Sequence, residues 1–111
     1  MHEMSLAYSI IEILLEETKN LEAPIKEVHL KASILQQILP ESLTFYYDIF
    51  KKDYEKLKDS ILIIELEKIK VQCRNCKKTY YIENLFFLCE DCQCGVDILQ
   101  GNELYIDKII V

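Results

Sequence analysis

Two Cys-x-x-Cys pairs in the second half of the chain constrain its fold most strongly. They are Cys73-x-x-Cys76 and Cys89-x-x-Cys92, and twelve residues separate them. Each pair can form a tight turn, and two such turns can present four thiolates to one divalent cation in a tetrahedral arrangement. The spacing therefore predicts a zinc site of the zinc-ribbon type. Zinc held there would be structural, because four protein ligands leave no open coordination position.

The residues inside these turns suggest further details of the site. Asn75 suits a left-handed backbone position, because its short side chain tolerates a positive φ. Four thiolates around a divalent cation leave a net negative charge, which Arg74, Lys77 and Lys78 are placed to offset. Solvated surface cations are the equally good alternative for these three residues.

A fifth cysteine, Cys94, complicates the ligand set. The Cys92-x-Cys94 sequence offers an alternative zinc ligand in Cys94. The favoured interpretation is a spare thiol beside the site, because Cys-x-x-Cys forms the better turn.

Composition and charge exclude several classes of protein. The 111 residues are half hydrophobic, with only two glycines and two prolines, which is typical of one small domain carrying a metal-stapled lobe. The net charge of −6 argues against nucleic acid as a partner, since neutralisation of phosphates supplies most non-specific affinity. The aromatic residues of the cysteine segment could stack on bases, but we expect them to form the small core of the lobe. They are Tyr80, Tyr81, Phe86 and Phe87.

The start of the chain fits neither secretion nor a membrane span. It lacks a basic leader segment, and Glu12 interrupts the apolar stretch from Ile10 to Leu15. We therefore expect a cytoplasmic protein with no membrane partner. In that reducing compartment paired cysteines indicate metal ligands rather than disulfides.

Hydrophobic periodicity predicts the elements around the cysteine segment. Helical spacing runs from Met4 to about Asn20, and strand alternation covers Val28 to Ala32. Pro40 begins a second helix that should end near Asp53. Residues 61–71 predict one long strand with a bulge or two short strands, and residues 104–111 predict a final strand that returns to the main sheet.

The predicted fold class is therefore α/β, with a small mixed β-sheet flanked by two helices and an inserted zinc-ribbon lobe. Residues 1–71 together with 102–111 form the predicted α/β domain. Residues 72–101 form the predicted zinc-binding lobe, and the segment from Cys73 to Cys94 within it has little regular periodicity.

The amino terminus carries a second candidate metal site. Methionine is normally retained before a bulky second residue, so Met1 leaves a free α-amine beside the His2 imidazole. The amine, backbone amide nitrogens and the imidazole can bind one ion, and square-planar nitrogen ligation favours nickel(II) or copper(II). Glu3 could add a carboxylate or complement the positive end of the helix. An exposed chain start without a role is the alternative, and His29 is interpreted as a solvated surface histidine.

Several of these features occur in the order seen in one known family. Met1-His2-Glu3, the following helix, residues 28–43, the paired Cys-x-x-Cys motifs and Gly101-Asn102-Glu103-Leu104 resemble the HypA/HybF family of hydrogenase nickel-insertion proteins. The resemblance implies a nickel metallochaperone without catalytic activity. It assigns nickel binding to His2, with Met1 and Glu3 as auxiliaries, and zinc binding to Cys73, Cys76, Cys89 and Cys92.

The same resemblance implies the partners. They are a nickel-delivery GTPase of the HypB kind, the hydrogenase large subunit and, for members that serve urease, a urease accessory protein. The sequence leaves open whether the chain is a monomer or a homodimer. It departs from the family at Ala32-Ser33, where an Ile-Gly pair is frequent, and at Glu90, where proline is common.

Two functions of other kinds remain open at this point. One is a zinc-ribbon module that binds nucleic acid or acts in transcription, which the acidic charge disfavours. The other is a one-iron electron carrier similar to rubredoxin, which would be coloured and contain iron.

Overall fold

The computed structural model describes residues 2–111, in which two α-helices and two three-stranded sheets are present. The elements in chain order are α1 (Glu3–Glu17), β1 (Glu27–Ser33), α2 (Pro40–Phe50), β2 (Ile61–Glu67), β3 (Ile69–Cys73), β4 (Thr79–Ile82), β5 (Val96–Gln100) and β6 (Tyr105–Ile110). Short 3₁₀ turns at Ile34–Gln36 and Lys51–Asp53 precede and follow α2. The predicted α/β class is confirmed. None of the helices within residues 2–111 is long and apolar enough to cross a membrane.

The two helices pack against each other through the apolar faces that their periodicity predicts. Helix α1 buries Ala7, Ile10, Ile11 and Leu14, and α2 buries Leu43 and Tyr47. Pro40 occupies the first turn of α2, where its missing N–H costs little. The prediction of both helices is therefore confirmed to within a turn at their ends.

The buried end of α2 satisfies its polar atoms through one small network. The Tyr47 hydroxyl lies 2.6 Å from Ser60 Oγ, and Ser60 donates to the Leu57 carbonyl at 2.6 Å. The Lys51 ammonium donates to the Ser60 carbonyl at 2.7 Å. Desolvation raises the pKa of Tyr47, so its hydroxyl stays protonated and remains available to donate.

The first sheet has the strand order β2–β1–β6. Along β1 the side chains of Val28, Leu30 and Ala32 are buried while the residues between them are not, which matches the predicted alternation. Strand β6 returns to this sheet as predicted, and β3 to β5 are inserted in the chain between β2 and β6. Residues 61–73 form two strands in different sheets, so the second of the two predicted alternatives is correct.

Ser33 forms a capping box at the end of β1. Its Oγ accepts from the Leu35 N–H at 3.1 Å, and the Gln36 side chain accepts from the Ser33 N–H at 2.7 Å. These two bonds satisfy donors that the start of a helical turn leaves free. Serine in place of the frequent glycine therefore fits this junction, and the left-handed residue of the turn is Gln37, with φ of 52°.

The second sheet has the order β4–β3–β5, and both pairings are antiparallel. Ile69 lies opposite Ile82, and Cys73 lies opposite Val96. The weak periodicity between Cys73 and Cys94 did not reveal β4, which lies within that segment, or β5, which follows it. These strands are short and mostly exposed on one side, which leaves too weak an alternation to recognise from sequence.

The core of this second sheet is small and contains two of the cysteines. The buried residues are Ile69, Val71, Cys73, Ile82, Cys89 and Val96. Tyr80 and Phe87 pack against this core as expected, whereas Tyr81 and Phe86 are each 55% exposed. The expected aromatic core is therefore only half correct, because Tyr81 alternates outward along β4 and lies beside the Lys70 ammonium.

The chain divides into two compact units. One consists of residues up to Leu30, Ile38–Ile64 and Ile106–Val111, and it contains both helices. The other consists of Lys31–Gln37 and Glu65–Tyr105 and contains all five cysteines.

Gly101 allows a close backbone approach within the second unit. Its φ is +86°, and a Cβ added there would lie 2.2 Å from the Lys68 carbonyl oxygen. Only glycine meets both demands, since a left-handed φ strains other residues and backbone atoms cannot yield as a flexible side chain can.

We predict that Gly101→Ala lowers the free energy of unfolding by roughly 2–4 kcal/mol, through backbone strain and steric displacement. Urea unfolding at fixed metal concentration measures this change. Gly95→Ala is the matched control, because its Cβ would lie 3.5 Å from Arg74 Nη1, an ordinary contact. Equal losses in the two variants would contradict the explanation.

Candidate metal centre

The two Cys-x-x-Cys segments form turns with the same hydrogen-bond pattern. In the first turn the Lys77 N–H donates to the Cys73 carbonyl at 3.1 Å. In the second turn the Gln93 N–H donates to the Cys89 carbonyl at 2.8 Å. A second backbone bond closes each turn, from the Cys89 N–H to the Cys94 carbonyl at 2.9 Å in the second. The sequence pattern predicted this pairing of turns.

The left-handed residues of these turns are Lys77 and Gln93, with φ values of 64° and 54°. The assignment of a left-handed backbone to Asn75 is wrong, because the positive φ follows the second cysteine of each pair rather than preceding it. The Asn75 N–H instead points toward the Cys73 sulfur at 3.4 Å, as does the Cys76 N–H at 3.5 Å.

The turns bring four sulfur atoms into one group. The Sγ atoms of Cys73, Cys76, Cys89 and Cys92 all lie within 4.8 Å of one another. The sulfurs of Cys73 and Cys92 lie 3.2 Å apart, and those of Cys76 and Cys89 lie 3.8 Å apart. Zinc–sulfur bonds of about 2.3 Å in a tetrahedron place sulfur atoms roughly 3.8 Å apart. The four thiols therefore fit one tetrahedral metal ion.

Protons compete with a metal ion for these sulfurs. The Lys78 backbone N–H lowers the pKa of Cys76, but hydrogen bonds with the other three thiols and desolvation outweigh it and raise this pKa to about 11. The pKa of Cys92 is lowered, chiefly by a hydrogen bond with Cys73. A divalent cation must therefore displace protons from some of the thiols, so binding weakens as the pH falls.

The cations next to the cysteines form ion pairs with carboxylates of the same unit. Arg74 Nε lies 2.8 Å from Asp97 Oδ1, and Lys78 Nζ lies 3.0 Å from Asp91 Oδ2. Both pairs are exposed, so solvent screens them and each contributes little to stability. They bridge β3 to β5 and one turn to the other, which favours a role in holding the turns together.

Cys94 lies beside the group without belonging to it. Within the part of the chain that the structure describes, the group of four sulfurs does not include Cys94. Its side chain is partly buried against the core of the second sheet, and a hydrogen bond with Cys92 is the main cause of its raised pKa.

The amino-terminal candidates lie at the start of α1, with Met1 outside the described residues. His2 is exposed and forms the N-cap, where its carbonyl accepts from the Leu6 N–H at 3.0 Å. Glu3 is the first helical residue, and its Oε1 accepts from the Leu39 N–H at 3.1 Å. That backbone bond is the main cause of the lowered pKa of Glu3.

The contact from Glu3 to the start of α2 could not be read from the sequence, because the two residues lie 36 positions apart. His29 also differs from expectation. Its Nε2 lies 3.0 Å from Glu27 Oε1, and its side chain is only 23% exposed. The interpretation of His29 as a solvated histidine is therefore wrong, because Glu27, two residues earlier on the same strand, is its partner.

Comparison with known proteins identifies a family that has this architecture. A family model described as hydrogenase/urease nickel incorporation, metallochaperone, HypA, matches residues 1–111. The chain belongs to the HypA family. It is 36% identical to the hydrogenase maturation factor HypA of Desulfosudis oleivorans over 98% of this chain and 96% of the relative. The HypA of Crocosphaera subtropica is 34% identical, over 100% and 96% of the two chains.

The fold agrees with that assignment. The solution structure of the Ni metallochaperone HypA from Helicobacter pylori superposes with a TM-score of 0.69 at 27% identity, covering 99% of this chain and 97% of that one. HypA proteins are maturation factors and not enzymes. The four-cysteine group of this chain agrees with its place in a metal-handling family.

We predict that Lys77→Gly and Gln93→Gly each raise the free energy of unfolding by about 1 kcal/mol, because glycine adopts a positive φ without strain. Urea unfolding of the zinc-loaded protein checks this. Glu90→Gly in the second turn is the control, since Glu90 is not among the positive-φ residues, and it should lower stability by about 0.5–1 kcal/mol. Losses in all three variants would contradict the assignment of strain.

Proposed function

We propose that this chain binds nickel(II) at its amino terminus and passes it to a hydrogenase-maturation partner. The observation that carries the proposal is an exposed His2 at the start of α1, in a chain that matches a nickel-incorporation family over residues 1–111. We further propose that it acts in the cytoplasm.

The ligands proposed for nickel are nitrogen atoms at the first turn of α1. They are the His2 imidazole, backbone amide nitrogens next to it and, where Met1 is the first residue, its α-amine. The first four N–H groups of a helix have no partner within the helix, so ligation through His2 leaves the helical bonds in place. Nitrogen ligands in a square plane select nickel(II) or copper(II) over zinc.

Glu3 is proposed as an auxiliary ligand together with Met1. One carboxylate oxygen of Glu3 is engaged by the Leu39 N–H. A carboxylate accepts through both oxygens, so the second oxygen stays available for an ion at His2.

The ion proposed for the four-cysteine group is zinc, held by Cys73, Cys76, Cys89 and Cys92. Four sulfur ligands at tetrahedral spacing suit zinc and leave no coordination position for a substrate. Zinc bound there would link the two turns and stabilise residues 72–101, which we propose as the zinc-binding lobe. The remaining residues, 1–71 and 102–111, would form the nickel-binding domain.

The two sites would then have different roles in a metallochaperone. Thiolates bind a borderline-soft cation tightly and keep the lobe folded, whereas an exposed site at a chain terminus releases its ion readily. The proposed recipients are a GTPase of the HypB kind and the hydrogenase large subunit. A urease accessory protein is proposed as a further partner, because the family is one of nickel incorporation into hydrogenase and urease.

We predict that His2→Ala weakens nickel binding by at least about tenfold, because the imidazole is the strongest neutral donor at the site. Isothermal titration of untagged protein with nickel measures the affinity. Extra residues placed before Met1 should have a similar effect, because they convert the α-amine into an amide.

The matched control is His29→Ala, which removes the only other histidine of the chain. It should leave nickel affinity unchanged, since His29 pairs with Glu27 on β1. Unchanged nickel affinity in both His2→Ala and the extended protein would contradict the proposed nickel site at the amino terminus.

We predict that Cys92→Ser abolishes stoichiometric zinc binding while Cys94→Ser retains about one zinc per chain, because only Cys92 belongs to the group of four sulfurs. Elemental analysis after dialysis measures the metal content. Loss of zinc from Cys94→Ser would place Cys94 in the ligand shell. Coloured protein that contains iron would favour a one-iron electron carrier instead.

A further inference from the structure

Four aromatic rings on the two helices form a continuous row whose two ends are exposed. Tyr8 stacks on Phe50 with ring centroids 4.0 Å apart, Phe50 lies 6.0 Å from Tyr46, and Tyr46 lies 5.4 Å from Phe45. We call these four residues the aromatic stripe. Tyr8 is 50% exposed and Phe45 59% exposed, so the two ends of the stripe present large rings to solvent, while Tyr46 and Phe50 between them are half-buried. The stripe crosses from α1 to α2.

Helical spacing extends the stripe with further exposed apolar side chains. Met4 lies one turn before Tyr8 and is 49% exposed, and Ile49 lies one turn after Phe45 and is 44% exposed. Contiguous apolar surface of this kind marks interaction sites more often than scattered exposed residues do.

A groove borders the stripe at Phe45. It has a volume of about 500 Å³, and its apolar walls are Pro40, Phe45 and Ile64. The carboxylates of Glu41 and Asp48 line the same groove. An apolar side chain that enters the groove therefore meets Phe45 and Ile64. Asp48 is paired with Lys51 at 3.0 Å, so Glu41 is the carboxylate that gives the groove its negative charge.

The charge of the two helices indicates which partner fits. Helix α1 contains four carboxylates, those of Glu3, Glu12, Glu16 and Glu17, and no lysine or arginine. Helix α2 contains Glu41 and Asp48 and also no lysine or arginine. Glu16 is paired with Lys19 and Asp48 with Lys51, both just beyond the ends of the helices. Glu12, one turn after Tyr8, and Glu41, in the groove beside Phe45, remain as the carboxylates next to the stripe, so its edge is acidic.

This charge pattern separates the alternatives. A symmetric pair of copies would place acidic helices against each other, and an anionic lipid surface would repel them. A helix with an apolar face and lysine or arginine along its edges would bury the rings and pair with the carboxylates.

We propose that the aromatic stripe and its groove dock a basic amphipathic helix of the partner protein that exchanges nickel with this chain. The centroid distances of 4.0, 6.0 and 5.4 Å limit the length of the stripe to that of about three turns of such a helix. Naming the partner as a nickel-exchange protein rests on the proposed function, whereas the docking chemistry rests on the two helices alone.

The test uses a synthetic peptide of about 18 residues, with leucine on one helical face and lysine on the other. Fluorescence anisotropy measures its binding to the full chain, and amide chemical shifts locate the binding surface. We predict that Phe45→Ala weakens binding about tenfold, because an exposed aromatic anchor is lost while the buried core is untouched. Ile13→Ala is the matched control, being 48% exposed on α1 but on another face from Tyr8, and its effect should stay within about twofold.

The contribution of charge to peptide binding is tested by comparing two variants. Glu12→Lys lies one turn after Tyr8, and Glu103→Lys lies in the other compact unit. Both change the net charge equally, and only Glu12→Lys should weaken binding severalfold, with an effect that shrinks at high salt. Equal weakening by the two, or amide shifts confined to residues outside α1 and α2, would overturn the proposal. So would Phe45-dependent dimerisation in sedimentation or Phe45-dependent binding to vesicles containing phosphatidylglycerol.

Nickel titration of the same variants separates this inference from the proposed function. Phe45→Ala and Glu12→Lys should keep the nickel affinity of the unmodified chain. Absence of nickel binding in every protein would reject the proposed function, while the peptide results would still decide the docking surface. Circular dichroism confirms that each variant is folded.

Discussion

The stability of the cysteine-bearing unit depends on the close approach of four sulfur atoms. Cys73 and Cys89 are both metal-ligand candidates and members of a buried core of only six residues. So few apolar side chains cannot offset the entropy of ordering two turns and three strands. Coordination and packing therefore act on the same atoms, and metal affinity of this group is part of the folding free energy.

The sequence predicted most of the elements that have a strong period. Helices α1 and α2 and strand β1 have one clear apolar face each, and the return of β6 follows from its apolar character. Strands β4 and β5 could not be predicted from the sequence because they are short and exposed. Tertiary pairing with β3 determines them rather than their own hydrophobic pattern. Lys77 and Gln93 adopt a conformation that their residue types do not signal.

The candidate sites were predictable to different degrees. Spacing alone identified the four cysteines, because each pair is local and the turn geometry is the same in both. The surroundings depend on contacts between residues distant in sequence. Arg74 pairs with Asp97 across two strands, and the aromatic stripe forms only because Tyr8 of α1 meets Phe50 of α2. No local pattern encodes such a meeting.

The bond from the Leu39 N–H to the Glu3 carboxylate has a consequence for the proposed nickel site. A residue at a chain terminus usually samples many conformations, and a ligand must suppress them when it binds. Here the side chain next to His2 is already held against the start of α2. Much of that conformational entropy is lost when the protein folds, so an ion bound as proposed at His2 would meet a terminus that is preorganised.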